Sequence, residues 1–292
     1  MSDPTRPLLR LPTSRKGWGH LLTAISVRPS KGMGQNFLVE RGVVERIVKT
    51  AKITPGDHII EVGPGLGILT AHLLQAGARV DAIELDRELA AHMKATFGDI
   101  PELQIHEADA LKFDISTLLT DGKPYSLVAN LPYSIASAVI MYFLEQPTPP
   151  ERITVMIQHE VAERLVAGPP DMTVLSVATQ VLSIPRIAFA VTPGNFVPPP
   201  KVDSSVVSIA PLGDKRLAAS RRPLFFRLVN GGFRHKRKQI LNSLAFEVET
   251  PKAEIIVRLE SAGIDPLRRA QTLTVDEWLR LLDSWERAEQ TI

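Results

Sequence analysis

An α/β fold is expected for most of this chain: a doubly wound, mainly parallel sheet with antiparallel strands at one edge, then a small all-α C-terminal domain. Three observations predict it. Short apolar runs alternate with segments of helical period from His58 to Leu165, which implies parallel strands joined by right-handed crossovers. Two further β-type runs then flank a Pro-rich loop with no helix between them, as antiparallel edge strands do. From Arg221 onward the pattern is helical to the end.

The elements follow in order. Val43, Val44, Ile47 and Val48 sit at helical spacing within Gly42 to Ala51, and Thr54-Pro55-Gly56 forces a turn. His58 to Val62 reads as a strand, followed by a Gly-rich turn and a helix from Ile68 to Gln75. Arg79 to Ile83 is the second strand, ending in Glu84, and a helix from Arg87 to Ala95 leads to a third strand, Leu103 to His106, ahead of Asp109. Ser126 to Ala129 is a fourth, opening into Asn130. Ile153 to Ile157 is a fifth, with helical Glu160 to Leu165 after it. Past Gly168-Pro169-Pro170 comes a short helix, Val174 to Leu182. The edge runs Arg186 to Val191 and Ser205 to Ile209 then enclose the loop Thr192 to Lys201. Gly231-Gly232 and Ile264-Asp265-Pro266 punctuate the C-terminal helices. The boundary between domains falls within Pro211 to Ala219, giving a flexible basic tail over 1–20, an α/β domain over 21–212 and a helical domain over 213–292.

The 292 residues suffice for one large or two ordinary domains with real cores. Hydrophobic content of 44% and charged content of 23% are those of a soluble globular protein. No apolar stretch approaches the roughly 20 residues a membrane helix needs, so no membrane partner is expected. With no cysteine, disulfides, thiolate zinc sites and a Cys nucleophile are excluded, and a reducing, cytoplasmic setting fits. No metal is expected.

Net charge is only +2, but it is unevenly spread. Between Pro211 and Ile240 lie nine Lys or Arg residues against one acid, Asp214. Arg6, Arg10, Arg15, Lys16, Arg28 and Lys31 face Asp3 alone in the first 31 residues. Two basic blocks on a near-neutral chain point to a polyanionic partner, with a solvated helix face as the alternative for either. An organelle transit peptide fits the Arg-rich N-terminus less well, because Pro4, Pro7 and Pro12 interrupt a continuous amphipathic helix.

The polar residues gather at strand ends. Gly63-Pro64-Gly65-Leu66-Gly67 follows the first strand, where glycine lets backbone approach a ligand, although any tight strand–helix turn would use it too. Glu84 ends the second strand, where a carboxylate can accept both hydroxyls of a ribose. This rhythm departs from the Gly-x-Gly-x-x-Gly spacing of dinucleotide sites, and Asp109 after the third strand suits an adenine amine. Together these favour a nucleoside cofactor without phosphates, S-adenosyl-L-methionine, over NAD; a helix cap is the plainer reading of Asp109. Asn130-Leu131-Pro132-Tyr133 follows the fourth strand. The amine of a purine is a poor nucleophile, and Asn130 Oδ1 with a carbonyl of Leu131 or Pro132 could accept both its N–H bonds and expose the nitrogen lone pair. Pro132 stiffens the loop and Tyr133 offers a face for a base; an ordinary strand-ending turn is the alternative.

These motifs carry a resemblance. Lys31 to Leu38, Glu61 to Gly67, Glu84-Leu85-Asp86, Asp109-Ala110-Leu111, Asn130 to Tyr133 and Phe196 to Ser204 together resemble the ribosomal RNA adenine N6-dimethyltransferases, most closely the bacterial small-subunit type. The resemblance spans about Leu21 to Leu282 and implies a Rossmann-like class I methyltransferase sheet. It implies that Asn36 and Leu38 contact the cofactor, that Gly63, with Gly65 in the same turn, lies against its methionine part, that Glu84 takes the ribose and Asp109 the adenine amine. Asn130 would bridge cofactor and target, with Tyr133 stacking on a flipped adenine and Phe196, from an exposed loop, on its other face. Phe196 could instead be a core aromatic under that loop. Met172-Thr173-Val174 stands where similar proteins often carry Tyr-Gly, and residues 1–20 have no obvious counterpart.

Phe233 to Leu244 pairs apolar residues at helical spacing with a cationic cluster. The spacing predicts a helix that packs Ile240, Leu241 and Leu244 inward and offers Arg234, Lys236, Arg237 and Lys238 to phosphates. The expected partners are small-subunit ribosomal RNA and the immature small ribosomal subunit, bound by a monomer. Rival readings are a large-subunit rRNA methyltransferase, or a ribosome-assembly factor that binds RNA without catalysis. A glutamine methyltransferase would carry Asn-Pro-Pro-Tyr, against which Leu131 argues.

Overall fold

The computed structural model describes residues 6–25, 36–120, 122–247 and 250–289. Arg28 and Lys31 to Gln35, singled out above, lie outside the described residues. The chain divides into two compact units, one of residues 1–162 with 186–211 and one of 163–185 with 212–292.

The first unit begins with helices α1 (Arg6–Leu9) and α2 (Arg15–Ala24), so residues 6–20 are not the flexible tail expected from composition. Pro7 and Pro12 do not prevent this, because Pro7 stands in the first turn of α1 and Ser14 caps α2 beyond Pro12. Leu11, Trp18 and Leu22 are buried in the main apolar cluster. The Arg10 guanidinium donates to the Asp99 carboxylate and, at 2.6 Å, to Thr96 O.

There follow β1 (Phe37–Leu38), α3 (Arg41–Ala51), β2 (His58–Val62), α4 (Ile68–Gln75), β3 (Arg79–Glu84), α5 (Arg87–Phe97), β4 (Leu103–Glu107), β5 (Tyr125–Asn130), α6 (Ala136–Leu144) and β6 (Arg152–Gln158). Then come α7 (His159–Val166), α8 (Val174–Leu182), β7 (Ser183–Val191), β8 (Phe196–Val197) and β9 (Ser204–Pro211). The main sheet has the order β4-β3-β2-β5-β6-β9-β7. Strands β4 to β6 in that order are parallel, and β9 runs antiparallel to β6, which gives the expected edge. Every residue of β2 is buried, as a central strand covered on both faces requires. Strand order reverses direction between β2 and β5, which creates a crevice at their carboxyl ends. Across β2, β3 and β4 the buried Asp81 carboxylate joins the His58 and His106 Nε2 atoms, each at 2.7 Å. A second, two-stranded ribbon pairs Phe37 with Val197 and Leu38 with Phe196.

The second unit is helical: α9 (Arg222–Phe233), α10 (Ile240–Leu244), α11 (Lys252–Ser261) and α12 (Val275–Glu289). Residues 163–185, expected within a continuous 21–212 domain, group with it instead. Helix α8 packs on α9 and α12, Met172 N–H donates to Gln271 O at 3.1 Å, and Gln180 Nε2 donates to the carbonyls of Leu165 and Ala167. No helix among the described residues is long and apolar enough to cross a membrane.

Candidate active site

Two lobes of one cleft open at the carboxyl ends of β2, β3 and β5, sharing Gly63, Glu84 and Pro132. The first lobe is lined by Asn36, Phe37, Leu38, Glu61, the turn Gly63 to Leu66, Glu84 and all four residues of Asn130 to Tyr133. The second adds Leu85, Asp86, Ala108, Asp109, Ala110, Ser134 and Ile135. Every sequence-nominated cofactor residue, Asn36, Leu38, Gly63, Gly65, Glu84, Asp109 and Asn130, therefore lies on this cleft.

The glycine turn is specified by more than its motif. Gly65 has φ 57°, and a Cβ there would stand 3.1 Å from the Phe37 ring. Its N–H donates to Glu84 Oε2 at 3.1 Å while Asp86 N–H donates to Oε1 at 2.9 Å. Two N–H groups thus orient the Glu84 carboxylate and leave lone pairs for the paired hydroxyls of a ribose. Burial raises the Glu84 pKa, and those backbone bonds oppose the rise.

Beneath the turn lies Glu61, a residue to which the sequence assigned no role. It is 1% exposed, accepts the Thr70 hydroxyl at 2.7 Å, and its pKa is pushed up to about 8, chiefly by burial. The Thr70 bond pulls the value down and the neighbouring Glu84 charge adds to it. One signal was available: an acid inside the otherwise apolar strand end Ile59-Ile60-Glu61-Val62.

Asp109 caps a turn, not the helix that the plainer reading expected. Its Oδ1 accepts Leu111 N–H at 3.0 Å, as a turn cap does, and the residue also lines the second lobe. Asn130 ends β5 in register with Met156, and Leu131 N–H donates to Met156 O at 3.1 Å, so the backbone under the carboxamide is fixed on both sides. Pro132 O accepts Ile135 N–H at 3.2 Å. The Tyr133 hydroxyl pairs with Ser204 Oγ at 2.7 Å, which sets the ring's orientation, and burial raises its pKa.

Phe196 departs from expectation. It is 1% exposed and belongs to the main apolar cluster, because pairing of β8 with β1 turns its ring inward instead of leaving it on an exposed loop. In this arrangement it offers no open face to a base.

The cationic cluster of the second unit also departs. Residues 234–239 form a turn between α9 and α10, not the continuous helix predicted from Phe233 to Leu244. A continuous helix would set Arg234 one turn from Arg237 and Lys238, where like charges repel. Arg234 is ion-paired with Glu247. Arg237 and Lys238 line a concave pocket with Lys252, Arg269 and the exposed Phe246, over whose ring Lys238 Nζ sits at 4.0 Å. Lys252, Arg269 and Phe246 were not nominated from sequence, since the fold alone brings them together. Lys236 is exposed.

A crevice at the switch point of a parallel sheet, floored by left-handed glycine and closed by Asn-Leu-Pro-Tyr, defines a methyltransferase. Comparison with known proteins narrows the class. The chain belongs to the ribosomal RNA adenine dimethylase family, whose model matches residues 28–286. It is 40% identical over 261 residues to the ribosomal RNA small subunit methyltransferase A of Dehalococcoides mccartyi, covering 89% of this chain and 90% of that one. The protein of the same name from Syntrophotalea carbinolica is 43% identical over 256 residues, covering 87% and 96%. Among solved structures, a dimethyladenosine transferase from Plasmodium falciparum aligns with TM-score 0.73 at 25% identity, covering 87% and 98%. The 23S rRNA methyltransferase ErmE aligns with TM-score 0.67 at 27% identity, covering 86% and 100%.

Proposed function

We propose that this enzyme methylates N6 of two adjacent adenines in a hairpin near the 3′ end of small-subunit (16S-type) ribosomal RNA, giving dimethyladenosines. It acts as a cytoplasmic monomer, without metal, on the assembling small subunit. The single observation that carries the reading is that Asn130-Leu131-Pro132-Tyr133 forms a wall of the lobe that also holds the glycine turn and Glu84. Small-subunit specificity is favoured over the large subunit by the names of the sequence relatives, at 40 and 43% identity.

The residues present fit S-adenosyl-L-methionine. Glu84 has lone pairs for ribose hydroxyls, Asp109 a carboxylate for an adenine amine, and Glu61 with the glycine turn a polar niche for the amino-acid end. When bound, that cofactor supplies an electrophilic sulfonium methyl. The chain's own contribution is positioning. Asn130 Oδ1 accepts a hydrogen bond from one N–H of the target amine. The Leu131 carbonyl accepts from the other N–H, since Pro132 O already accepts from Ile135 N–H. Tyr133, its hydroxyl tethered to Ser204, receives the ring of an adenine extruded from RNA, and stacking of about 1–3 kcal/mol per base offsets part of the cost of flipping. The proton displaced from nitrogen passes to water. In the second unit, the pocket of Arg237, Lys238, Lys252 and Arg269 beside exposed Phe246 suits an RNA backbone with an unpaired base.

The test is incubation of the purified protein with labelled S-adenosylmethionine and under-methylated small subunits, then nucleoside analysis. Labelled dimethyladenosine is the expected product. Binding of the subunits without transfer of label would overturn the enzymatic reading in favour of an assembly factor.

A further inference from the structure

The β1–β8 ribbon is a weak element asked to do an exacting job. It has only two residues in each strand, and ribbons of that size are marginal on their own. Yet Phe37 and Leu38 line the first lobe, and the Phe37 ring sits against Gly65 of the glycine turn. Something must hold this wall in place. Helix α2 packs on β8, and Trp18 and Leu22 are buried in the same apolar cluster as Phe37, Leu38 and Phe196. At its first residue, Arg15 donates from Nη1 to Gly194 O and from Nη2 to Phe196 O, each at 2.6 Å. Gly194 lies in the tight turn Pro193–Asn195 and Phe196 opens β8, so the planar guanidinium fork ties the start of β8 and the turn leading into it to α2.

We propose that α2 is a brace for the cofactor-pocket wall and that Arg15 is a positioning residue acting through the β1–β8 ribbon. Helix α2 lies ahead of residues 28–286, the stretch that the family model matches. The inference rests on the reading of the first lobe as the S-adenosylmethionine site. Freed of Arg15, the ribbon would open more often and the pocket would have to be re-formed at each binding event, weakening cofactor affinity without touching groups that meet the target amine.

The experiment uses the full chain with Arg15→Met and Arg15→Lys. Hydrogen exchange of the cofactor-free protein is followed at Phe37 to Val39 and at Phe196 and Val197, with calorimetric titration of S-adenosylmethionine and steady-state methylation alongside. Arg15→Met is expected to speed exchange in the ribbon about tenfold while β2 to β6 stay protected. It should raise the cofactor Kd and KM about five- to twentyfold and leave kcat at saturating cofactor within about twofold. Arg15→Lys, which reaches one carbonyl at a time, should fall between. Unchanged ribbon exchange with an unchanged Kd would overturn the proposal, as would loss of protection spread evenly over the whole sheet. Should Arg15→Met fail to fold, Arg15→Lys decides by the same readouts. A wild-type chain that does not bind S-adenosylmethionine would overturn the cofactor reading instead, and ribbon exchange would still decide the brace.

Discussion

Asn130 stands on backbone that is held on both sides. It is the last residue of a buried strand, and the next N–H is bonded to Met156 O, so its carboxamide is presented from a fixed point. Asn130→Ala removes one of two acceptors for the target amine, and methyl transfer should fall on the order of 10²–10³-fold, comparable to loss of one oxyanion-hole partner. Cofactor affinity, measured by titration, should weaken far less; near-normal turnover would refute the role. Glu61 makes a different prediction, about protons. Its pKa rises from 4.5 to about 8 in the fold, mainly through burial. A raised pKa contributes stability that is fully present below about 4.5 and is lost as pH rises through about 8. Glu61→Gln should therefore flatten the dependence of thermal stability on pH across that window and gain on the wild type at its alkaline end. With its pKa pushed up to about 8 by burial, the protonated form of Glu61 is favoured at neutral pH, and a cationic ligand would favour loss of that proton. Binding of S-adenosylmethionine should release it, and calorimetry in two buffers of different ionisation heat would detect the release. Residues such as Glu84 and Asn130 were legible because strand ends in a parallel sheet converge on one crevice. Phe196 left two readings open, exposed loop or core aromatic, since its burial depends on β8 pairing with a ribbon partner far away in sequence.

At the scale of elements, the glycine turn shows how a motif and its packing differ. Gly67 has φ 82°, and a Cβ there would stand 2.5 Å from the Phe97 ring and 2.8 Å from Met93 Sδ. Gly56 has φ 90° with nothing within 4 Å of the same position. Gly67→Ala adds a clash to backbone strain and should cost about 1–3 kcal/mol more than Gly56→Ala, which suffers the strain alone, about 1–2 kcal/mol. Denaturant unfolding of the two variants makes the comparison, and equal losses would show that packing around Gly67 relaxes freely. The alternation of strands and helices made the sheet readable from periodicity, because each parallel strand is a continuous apolar run. Periodicity misled at Phe233 to Leu244, where apolar residues at helical spacing belong to two helices separated by a charged turn. It was also silent about α2, since the prolines ahead of that helix suggested a tail, and about the side that α8 joins. Thr173 serves as the N-cap of α8 in a capping box with Ser176, so the run Met172-Thr173-Val174 has a structural use.

For the molecule as a whole, charge distribution matters more than its sum. A net charge of +2 would give little general attraction to RNA, so binding must come from local clusters. The second unit separates two kinds of cation. Arg221, Arg222, Arg234 and Arg268 are ion-paired with carboxylates and spend their charge on the fold. Arg237, Lys238, Lys252 and Arg269 instead converge on one polar pocket beside Phe246. Each phosphate contact releases condensed counterions, so the slope of log affinity against log salt changes by about 0.7–0.9 per contact. Replacing Arg237, Lys238, Lys252 and Arg269 by Gln should flatten the slope by about 3 units, measured by RNA titration over a range of salt concentrations. Arg234→Gln should flatten it by less than one unit, because its guanidinium is already partnered by Glu247. Equal effects from the two variants would mean that RNA senses only total charge, and no effect from either would leave the cluster as solvated surface. A steep loss confined to the pocket variant, with S-adenosylmethionine affinity unchanged, would place RNA capture in the helical unit and leave the chemistry to the sheet.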